Sequence, residues 1–249
     1  MMTKLRTIFV TAAVAVVLTA PTALAQTQPG AASSVLPSGG GQALIDTSDT
    51  LLLLDHQAGL FQTVNDIGVT NLRNNTIMLA KLATLLQIRG ITNAAEPSGP
   101  NGSLMPGIHQ FAPHALYVGR KGEVNASDDQ DFVQAVRATG KKALIIAGVW
   151  TSVCVMYPAL DAKAAGFKAC AVMDASGEPS ELASRTTLAR FIQTGVVPIS
   201  TNAVLSETHR TWNRPDVAEF AKLYALVVPN YAAVIESYEK AQEVAIASR

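Results

Sequence analysis

Short apolar runs alternate with segments of helical spacing from about residue 48 onward, and this alternation limits the possible folds more than any other feature. The apolar runs predict strands at residues 50–54, 115–118, 143–147, 168–173 and 196–199. The intervening segments predict helices near residues 71–87, 127–140, 153–165 and 181–193. Strands that alternate with helices of about 10–15 residues build parallel βαβ units. The sequence therefore predicts one three-layer α/β domain over residues 47–249.

Two further helices, near residues 216–227 and 232–245, lie outside this alternation. Their aromatic and apolar residues could contact a second subunit and make the protein a homo-oligomer, or they could pack on the core of their own domain. The residues concerned are Trp212, Phe220, Leu223, Tyr224, Tyr231 and Tyr238.

The N-terminus has the composition of a secretory signal. Lys4 and Arg6 precede an apolar run over residues 8–20, and an Ala-x-Ala pattern ends at Ala25. We expect a signal peptide over residues 1–25 and export to the periplasm or beyond, with no membrane contact after cleavage. An uncleaved N-terminal anchor is the alternative. The Gly- and Pro-rich residues 26–46 predict a flexible leader.

Composition excludes several partners and classes of protein. Lys and Arg total 19, as do Asp and Glu, so no basic excess favours nucleic-acid binding. Hydrophobic residues make up 49% of the chain and charged residues 15%, too apolar for a disordered protein. The four histidines, at positions 56, 109, 114 and 209, show no metal-binding spacing. We therefore expect no nucleic-acid partner and neither a metal nor another cofactor; the small-molecule substrate is expected from the family resemblance given below.

The carboxyl ends of parallel strands are where ligands bind in open α/β sheets. Cys154 follows the strand at 143–147 by a short loop and falls in the first turn of the next helix. A helix N-terminus lowers the pKa of a thiol and can hold an oxyanion, so Cys154 is a candidate nucleophile. A small buried hydrophobic residue is the alternative. Cys170 lies in the middle of an apolar run and is expected in the core, although a disulfide with Cys154 is conceivable.

Two charged residues lie at other strand ends. Asp55 ends a run of four leucines, where a carboxylate is either a strand-end cap or a partly desolvated acid or base. Lys121 follows the strand at 115–118 and, taken alone, is more typical of a solvated loop lysine than of a site residue.

Six segments occur in an order that carries a family resemblance. They are LLDHQAG at 53–59, GPNG at 99–102, KGEVNA at 121–126, DFV at 131–133, LIIAGVWTSVCV at 144–155 and VMDASG at 172–177. With these segments the chain resembles the isochorismatase-like cysteine hydrolases, closest to their YcaC-like branch, over about residues 48–240. The resemblance implies a Rossmann-like αβα sandwich with a mostly parallel sheet.

The resemblance also implies roles for individual residues. Cys154 would be the nucleophile, Asp55 the proton-transfer residue and Lys121 their charged partner. The backbone N–H groups of Trp150 and Cys154 would form the oxyanion hole, and a cis peptide commonly precedes the position of Trp150. Such an arrangement hydrolyses a small amide or imide C–N bond through a thioester.

The substrate pocket and the departures from the family complete the expectations. Trp150 and Phe61 are expected to shape the pocket, with Glu123 and Asn125 as further candidates. Metal-dependent relatives carry histidines where this chain has TNAAE at 92–96, which again argues against a metal. Two rival functions stay open, namely an isochorismatase-type hydrolase that does not use the cysteine and a non-catalytic oligomeric family member.

Overall fold

The computed structural model describes residues 45–248. The predicted signal peptide and leader lie outside these residues, apart from Ile45 and Asp46. Ile45 is buried in the core, and its backbone N–H donates to a Glu207 carboxylate oxygen at 2.8 Å. The folded part of the chain therefore includes Ile45, which the sequence assigns to the leader.

Six parallel strands form the central sheet, in the spatial order β3-β2-β1-β4-β5-β6. The strands are β1 (Thr50–Leu54), β2 (Arg89–Ala95), β3 (Leu116–Arg120), β4 (Ala143–Gly148), β5 (Lys168–Val172) and β6 (Val197–Ile199). The order reverses direction between β1 and β4. At this switch point the loops after the two strands diverge to opposite faces and leave a crevice at the carboxyl edge.

Nine α-helices are described in residues 45–248. They are α1 (Ala58–Phe61), α2 (Val69–Leu85), α3 (Pro106–Phe111), α4 (Gln130–Ala138), α5 (Met156–Ala164), α6 (Glu181–Thr194), α7 (Thr201–His209), α8 (Val217–Val227) and α9 (Pro229–Ala247). Polar side chains fix several starts, since Asp129, Ser180 and Ser200 accept N–H bonds at the first turns of α4, α6 and α7.

The leucine run of β1 shows why the sheet is covered on both faces. Leu51 and Leu53 pack in a core with residues of α2, α3, α7 and α8, whereas Leu52 and Leu54 pack in a second core with residues of α4, α5 and α6. Successive strand residues point to opposite faces, so a continuous apolar run is buried only between two helical layers. The predicted three-layer sandwich is confirmed.

The C-terminal helices divide between the two alternatives left open by the sequence. Phe220, Leu223 and Tyr224 of α8 are buried in their own domain. By contrast, α9 has no buried residue, and its Tyr238 is 64% exposed. Helix α8 thus packs on the core, whereas α9 contacts α8 and, through Tyr231 near its start, Trp212 and the edge of the core, and leaves most of its surface exposed. Across residues 45–248, none of the helices combines the length and apolar character needed to cross a membrane.

Candidate active site

Asp55 lies at the switch point of the sheet, directly after β1. Its side chain is fully buried, and its backbone has a φ of 53°. The Asp55 N–H donates to the carbonyl and side-chain oxygens of Asn93, both at 3.2 Å, and the Ala95 N–H donates to Oδ1 at 2.9 Å. Hydrogen bonds with β2 therefore hold Asp55 in place at the edge of the sheet where the strands end.

Arg120, the last residue of β3, neutralises Asp55. Its Nη2 donates to Asp55 Oδ2 in an ion pair whose side chains are both 0% exposed. Its Nη1 donates to the carbonyl oxygens of Glu123 and Val124, so the loop after β3 also fixes the guanidinium. Two buried charges are tolerated together because each balances the other and makes further hydrogen bonds.

Lys121, the predicted charged partner, does not occupy this position. Its side chain is exposed, and its contribution to the loop is a backbone N–H that donates to Glu123 Oε2 at 2.8 Å. The prediction that Lys121 is the cation of the site is wrong by one residue. The strand predicted to end at Val118 continues to Arg120, and residues that are neighbours in a strand point to opposite faces.

Cys154 reaches the same site from β4. Gly148 ends that strand, and a Cβ at this position would lie 2.5 Å from the Leu54 carbonyl oxygen, so only glycine lets β4 approach the end of β1 this closely. A cis peptide joins Val149 to Trp150, as the resemblance implies, and a turn of π-helix over Thr151–Val155 presents Cys154.

The thiol of Cys154 is 7% exposed and differs in its acidity from the expectation. Burial raises its pKa well above the ordinary value, and the carboxylate of Asp55 raises the pKa further by its charge and by hydrogen bonding. The charge of Arg120 and the Trp150 backbone N–H, which faces the sulfur, lower the pKa by less. The expectation of a thiol pKa lowered by the helix N-terminus is therefore wrong. The thiol and the Asp55 carboxyl group therefore face each other across the site.

The two backbone N–H groups predicted to form the oxyanion hole differ in their hydrogen bonds. The Cys154 N–H already donates to the Trp150 carbonyl oxygen at 2.8 Å, within the turn. The Trp150 N–H donates to no backbone oxygen of residues 45–248 and faces the Cys154 sulfur. The Trp150 N–H is thus the donor that no backbone oxygen engages, and the Cys154 N–H must exchange its partner to join it at a ligand oxygen.

A cavity of about 190 Å³ opens at Asp55 and Cys154. Glu123 and Trp150 line it as predicted, together with Glu96, Asn101 and the side chains of several apolar residues. The Trp150 indole N–H donates to Thr63 Oγ1 at 2.7 Å, which fixes the ring. The cavity is large enough for a small organic molecule.

Two predicted pocket residues lie elsewhere. Phe61 is 4% exposed and packs in the core, with its ring centroid 6.2 Å from that of His56, while the preceding Leu60 lines the cavity. Asn125 caps the short helical turn Ala126–Asp128 and donates to Asp161 Oδ2 at 2.7 Å. Phe61 and Asn125 are close to site residues in the sequence, but neither lines the cavity. Both predictions are wrong.

The remaining candidate groups are structural. Cys154 and Cys170 are both free, so they form no disulfide, and Cys170 lies half-buried in β5. In residues 45–248, no three His, Cys, Asp or Glu side chains come together as they would around a metal ion. The prediction from the sequence missed Arg120. Its residue type was the available signal, because arginine is better suited than lysine to a buried ion pair with a carboxylate.

Comparison with known proteins gives consistent matches over this domain. The model of the isochorismatase domain matches residues 49–203. The chain is 41% identical over 196 residues to "Probable hydrolase YcaC" of Escherichia coli (strain K12), covering 78% of this chain and 94% of that protein.

Two solved structures share both the fold and the sequence pattern. The YcaC gene product of Escherichia coli, an octameric hydrolase of unknown specificity, is 41% identical, with a TM-score of 0.77 over 80% of this chain and 98% of that chain. YcaC from Pseudomonas aeruginosa, with hexane-2,5-diol and covalent acrylamide, is 39% identical, with a TM-score of 0.76 over 79% of this chain and 97% of that chain.

Proposed function

Because the chain belongs to the isochorismatase family, we propose that it is a hydrolase that uses Cys154 as a nucleophile to cleave a small amide or imide C–N bond. One observation carries the proposal: the buried thiol of Cys154 faces the carboxylate of Asp55, which is paired with Arg120, in a cavity at the switch point. The catalytic group is thus Asp55, Arg120 and Cys154, with Arg120 in the place predicted for Lys121.

The first half of the reaction forms a thioester. Asp55 takes the thiol proton as the Cys154 sulfur attacks the carbonyl carbon, which joins sulfur to carbon and puts negative charge on the carbonyl oxygen. The Trp150 N–H donates to that oxygen. When the C–N bond breaks, the protonated Asp55 gives its proton to the leaving nitrogen. Arg120 keeps the carboxylate in place throughout.

The second half regenerates the enzyme. A water molecule takes the place of the departed amine, and Asp55 accepts one of its protons as the oxygen attacks the thioester carbon. The C–S bond then breaks, the proton returns to sulfur, and a carboxylic acid leaves. The raised pKa of Cys154 is consistent with this cycle, because the thiolate is formed only as its proton moves to Asp55.

Chemistry seen in a relative supports the choice of a cysteine. The Pseudomonas aeruginosa YcaC structure carries a covalent acrylamide, an electrophile that reacts with thiols, and that protein is 39% identical to this chain. We extend that reactivity to Cys154.

Trapping the acyl-enzyme tests the proposal. The protein is incubated with a panel of small primary amides and imides, quenched in acid, and its intact mass is measured. We expect a mass increase equal to the acyl group, assigned to Cys154 by peptide mapping, and no adduct with Cys154→Ala. Turnover that persists in Cys154→Ala would overturn the proposal in favour of a hydrolase that uses Asp55 alone, and no turnover or adduct across the panel would favour a non-catalytic protein.

We also propose that the protein is a homo-oligomer that self-associates through α9. Val234 and Tyr238 lie one turn apart on this helix and are 59% and 64% exposed. The Escherichia coli YcaC gene product is octameric. Light scattering coupled to size exclusion should give a multiple of the chain mass that falls with Val234→Asp/Tyr238→Asp. A monomeric wild type would overturn this proposal.

Export is likewise proposed, on the strength of Lys4, Arg6, the apolar run at 8–20 and the Ala-x-Ala pattern that ends at Ala25. Expression of the full chain in a bacterium and intact-mass analysis of the periplasmic fraction should give a chain that begins at Gln26. A full-length chain confined to the cytoplasm would contradict it.

A further inference from the structure

Glu178 is a buried carboxylate that neither the mechanism nor the sequence pattern has used so far. It follows β5 and the short turn Met173–Ala175, and it is 0% exposed. Its Oε1 accepts the Ser152 N–H, and its Oε2 accepts the Ser152 hydroxyl at 3.0 Å. Thr187 of α6 donates to Oε1 at 3.4 Å. The carboxylate is thus bound mainly to one residue of the turn that carries Cys154.

Glu178 is itself held firmly. Its N–H donates to Asp66 Oδ1 at 2.7 Å, and its carbonyl oxygen accepts the Asn65 N–H at 2.8 Å. The adjacent Gly177 accepts the Thr151 N–H at 3.0 Å. A Cβ on Gly177 would lie within 2.9 Å of Val64 and Leu72, so this segment is packed against its surroundings without room to shift. A segment packed on several sides therefore holds the turn that carries Cys154.

Ser152 lies midway between two groups of the proposed site, two residues after Trp150 and two residues before Cys154. A carboxylate that binds the N–H groups of a helix's first turn stabilises and orients that turn. Such a carboxylate, taken out of water, is retained only when donors satisfy it, and the Ser152 N–H, the Ser152 hydroxyl and Thr187 do so.

We propose that Glu178 is a positioning residue, which fixes the turn so that the Cys154 thiol faces Asp55 and the Trp150 N–H points into the cavity. This inference rests on the proposed function for its catalytic consequence. Glu178 does not line the cavity and need not touch the substrate.

The test compares Glu178→Ala with two matched variants. Glu178→Gln keeps an oxygen for the Ser152 N–H and places an amide N–H beside the Ser152 hydroxyl oxygen, so it should rescue the geometry. Asp174→Ala removes a different carboxylate, which caps α7 by accepting the Thr201 N–H at 2.7 Å and the Thr201 hydroxyl at 2.8 Å, and it controls for lost stability. Activities are expressed per folded molecule.

We expect Glu178→Ala to lower kcat by roughly 10–100-fold with KM changed less than about threefold, because misplacing reacting groups costs the chemical step rather than binding. Glu178→Gln and Asp174→Ala should stay within about threefold of wild type. If Glu178→Ala does not fold, Ser152→Ala removes one of the two bonds to the carboxylate and should lower kcat by roughly tenfold, outside the range allowed for the matched variants.

A second readout separates this inference from the proposed function. The rate of Cys154 alkylation by iodoacetamide is measured against pH for each protein. Loosening the turn admits water and weakens the burial that raises the thiol pKa, so the midpoint for Glu178→Ala should fall by roughly half a unit or more, with Glu178→Gln and Asp174→Ala unchanged. Unchanged kcat and midpoint in Glu178→Ala, or equal losses in either matched variant, would overturn the positioning role. Absence of any acyl-enzyme in the wild type would instead overturn the proposed hydrolysis.

Discussion

Asp55 and Asp174 follow two strands of the same sheet, yet their side chains make different contacts. Asp55, directly after β1, is fully buried and faces Arg120 and Cys154. Asp174, two residues after β5, is half-buried and caps α7 through Thr201. Each ends an apolar run, so the local sequence hardly distinguishes them. Both strands pair with β4, so what differs is the other neighbour: β1 also pairs with β2, across the switch point from β4, whereas β5 pairs with β6 and leads on to α7. Topology, rather than the strand end itself, brings a carboxylate to a thiol, as the proposed catalysis requires.

The largest expected contrast comes from the same substitution at both positions. Asp55→Asn removes the base that receives the Cys154 proton and should lower kcat by about 10²–10⁴-fold, the usual contribution of a general acid–base group. Asp174→Asn keeps an acceptor for the Thr201 N–H and should leave kcat within about twofold. Steady-state kinetics on the panel amide that is turned over, normalised to folded protein by near-ultraviolet circular dichroism, checks both.

Asp55→Asn also leaves Arg120 without its counter-ion, so its unfolding midpoint has to be measured alongside. An Asp55→Asn protein that is folded and retains more than a tenth of wild-type kcat would break the contrast. A comparable kcat loss in Asp174→Asn would show that the two strand ends do not differ in their effect on the reaction.

The parts of the site that could be predicted are those fixed by local sequence. Cys154 and Trp150 lie in one short segment, and Asp55 follows an unbroken strand, so their places at the carboxyl edge follow from the βαβ pattern. Arg120 was missed because its role depends on where β3 ends. Glu178 was missed because its partner, Ser152, is 26 residues away along the chain, and no local pattern reports such a contact.

The fold shows the same limit. The apolar strand β1 and the parallel arrangement were predictable, whereas β2 (Arg89–Ala95) was not, since it carries the polar residues Thr92 and Asn93 in its centre. These are buried because the Asn93 side chain accepts the Asp55 N–H and the Thr92 hydroxyl lies 3.0 Å from His109 Nε2. These polar residues support the site, but they interrupt the apolar run from which a strand is predicted. The short helix α3 and the helix α7 were also not predicted.

Adjacent cations provide the second test, because Arg120 belongs to the Asp55 end and Lys121 does not. Arg120→Ala removes the partner of a fully buried carboxylate and should lower the free energy of unfolding by about 3–5 kcal/mol. Lys121→Ala alters an exposed side chain and should change it by less than about 0.5 kcal/mol. Urea denaturation of both variants measures the difference.

Arg120→Lys sharpens this test. Lysine keeps the charge that pairs with Asp55 but lacks the second nitrogen, with which Arg120 donates to the carbonyl oxygens of Glu123 and Val124. Arg120→Lys should fall between wild type and Arg120→Ala. If Lys121→Ala destabilises as much as Arg120→Ala, the assignment of the buried cation to Arg120 is wrong.

A hydrogen bond from the His56 side chain connects the ends of β1 and β5. The titration of His56 should make the stability of the protein depend on pH. His56 follows Asp55 and its Nε2 donates to the Ala175 carbonyl oxygen, 2.9 Å away beside Asp174. Burial lowers the pKa of His56 to about 4 from its ordinary value of 6.5. Between these values the unfolded chain binds the extra proton, so the stabilisation is complete above about pH 6.5 and is lost as the pH falls toward 4.

This single group should cost about 2 kcal/mol of unfolding free energy between pH 7 and pH 5. Denaturation at the two pH values compares wild type with His56→Gln, which retains a donor for Ala175 but does not titrate. The pH-dependent loss should be smaller in His56→Gln by that amount. Equal losses in the two proteins would show that His56 is not the titrating connection between the strand ends.

The smallest expected effect concerns charge, because the clefts beside the two aspartates are lined differently. The cavity at Asp55 includes two more carboxylates, Glu96 and Glu123, whereas the cleft at Asp174 is lined by Asn71, Asn74, Asn75 and apolar residues. Backbone N–H groups, including that of Lys121, lower the pKa of Glu123, so it is ionised at neutral pH. The site should therefore favour uncharged or cationic molecules over anionic ones.

Thiol reagents of opposite charge measure this preference without a known substrate. A cationic methanethiosulfonate should modify Cys154 faster than an anionic one, relative to their rates with 2-mercaptoethanol. Glu123→Gln should reduce the ratio by roughly threefold at low salt, and added salt should reduce it in wild type because an exposed carboxylate is screened. A ratio unchanged by Glu123→Gln, and likewise by Glu96→Gln, would show that neither of these two carboxylates sets the selectivity. In that case the Asp55 end would differ from the Asp174 end by its buried ion pair and thiol, and not by the charge of Glu96 and Glu123.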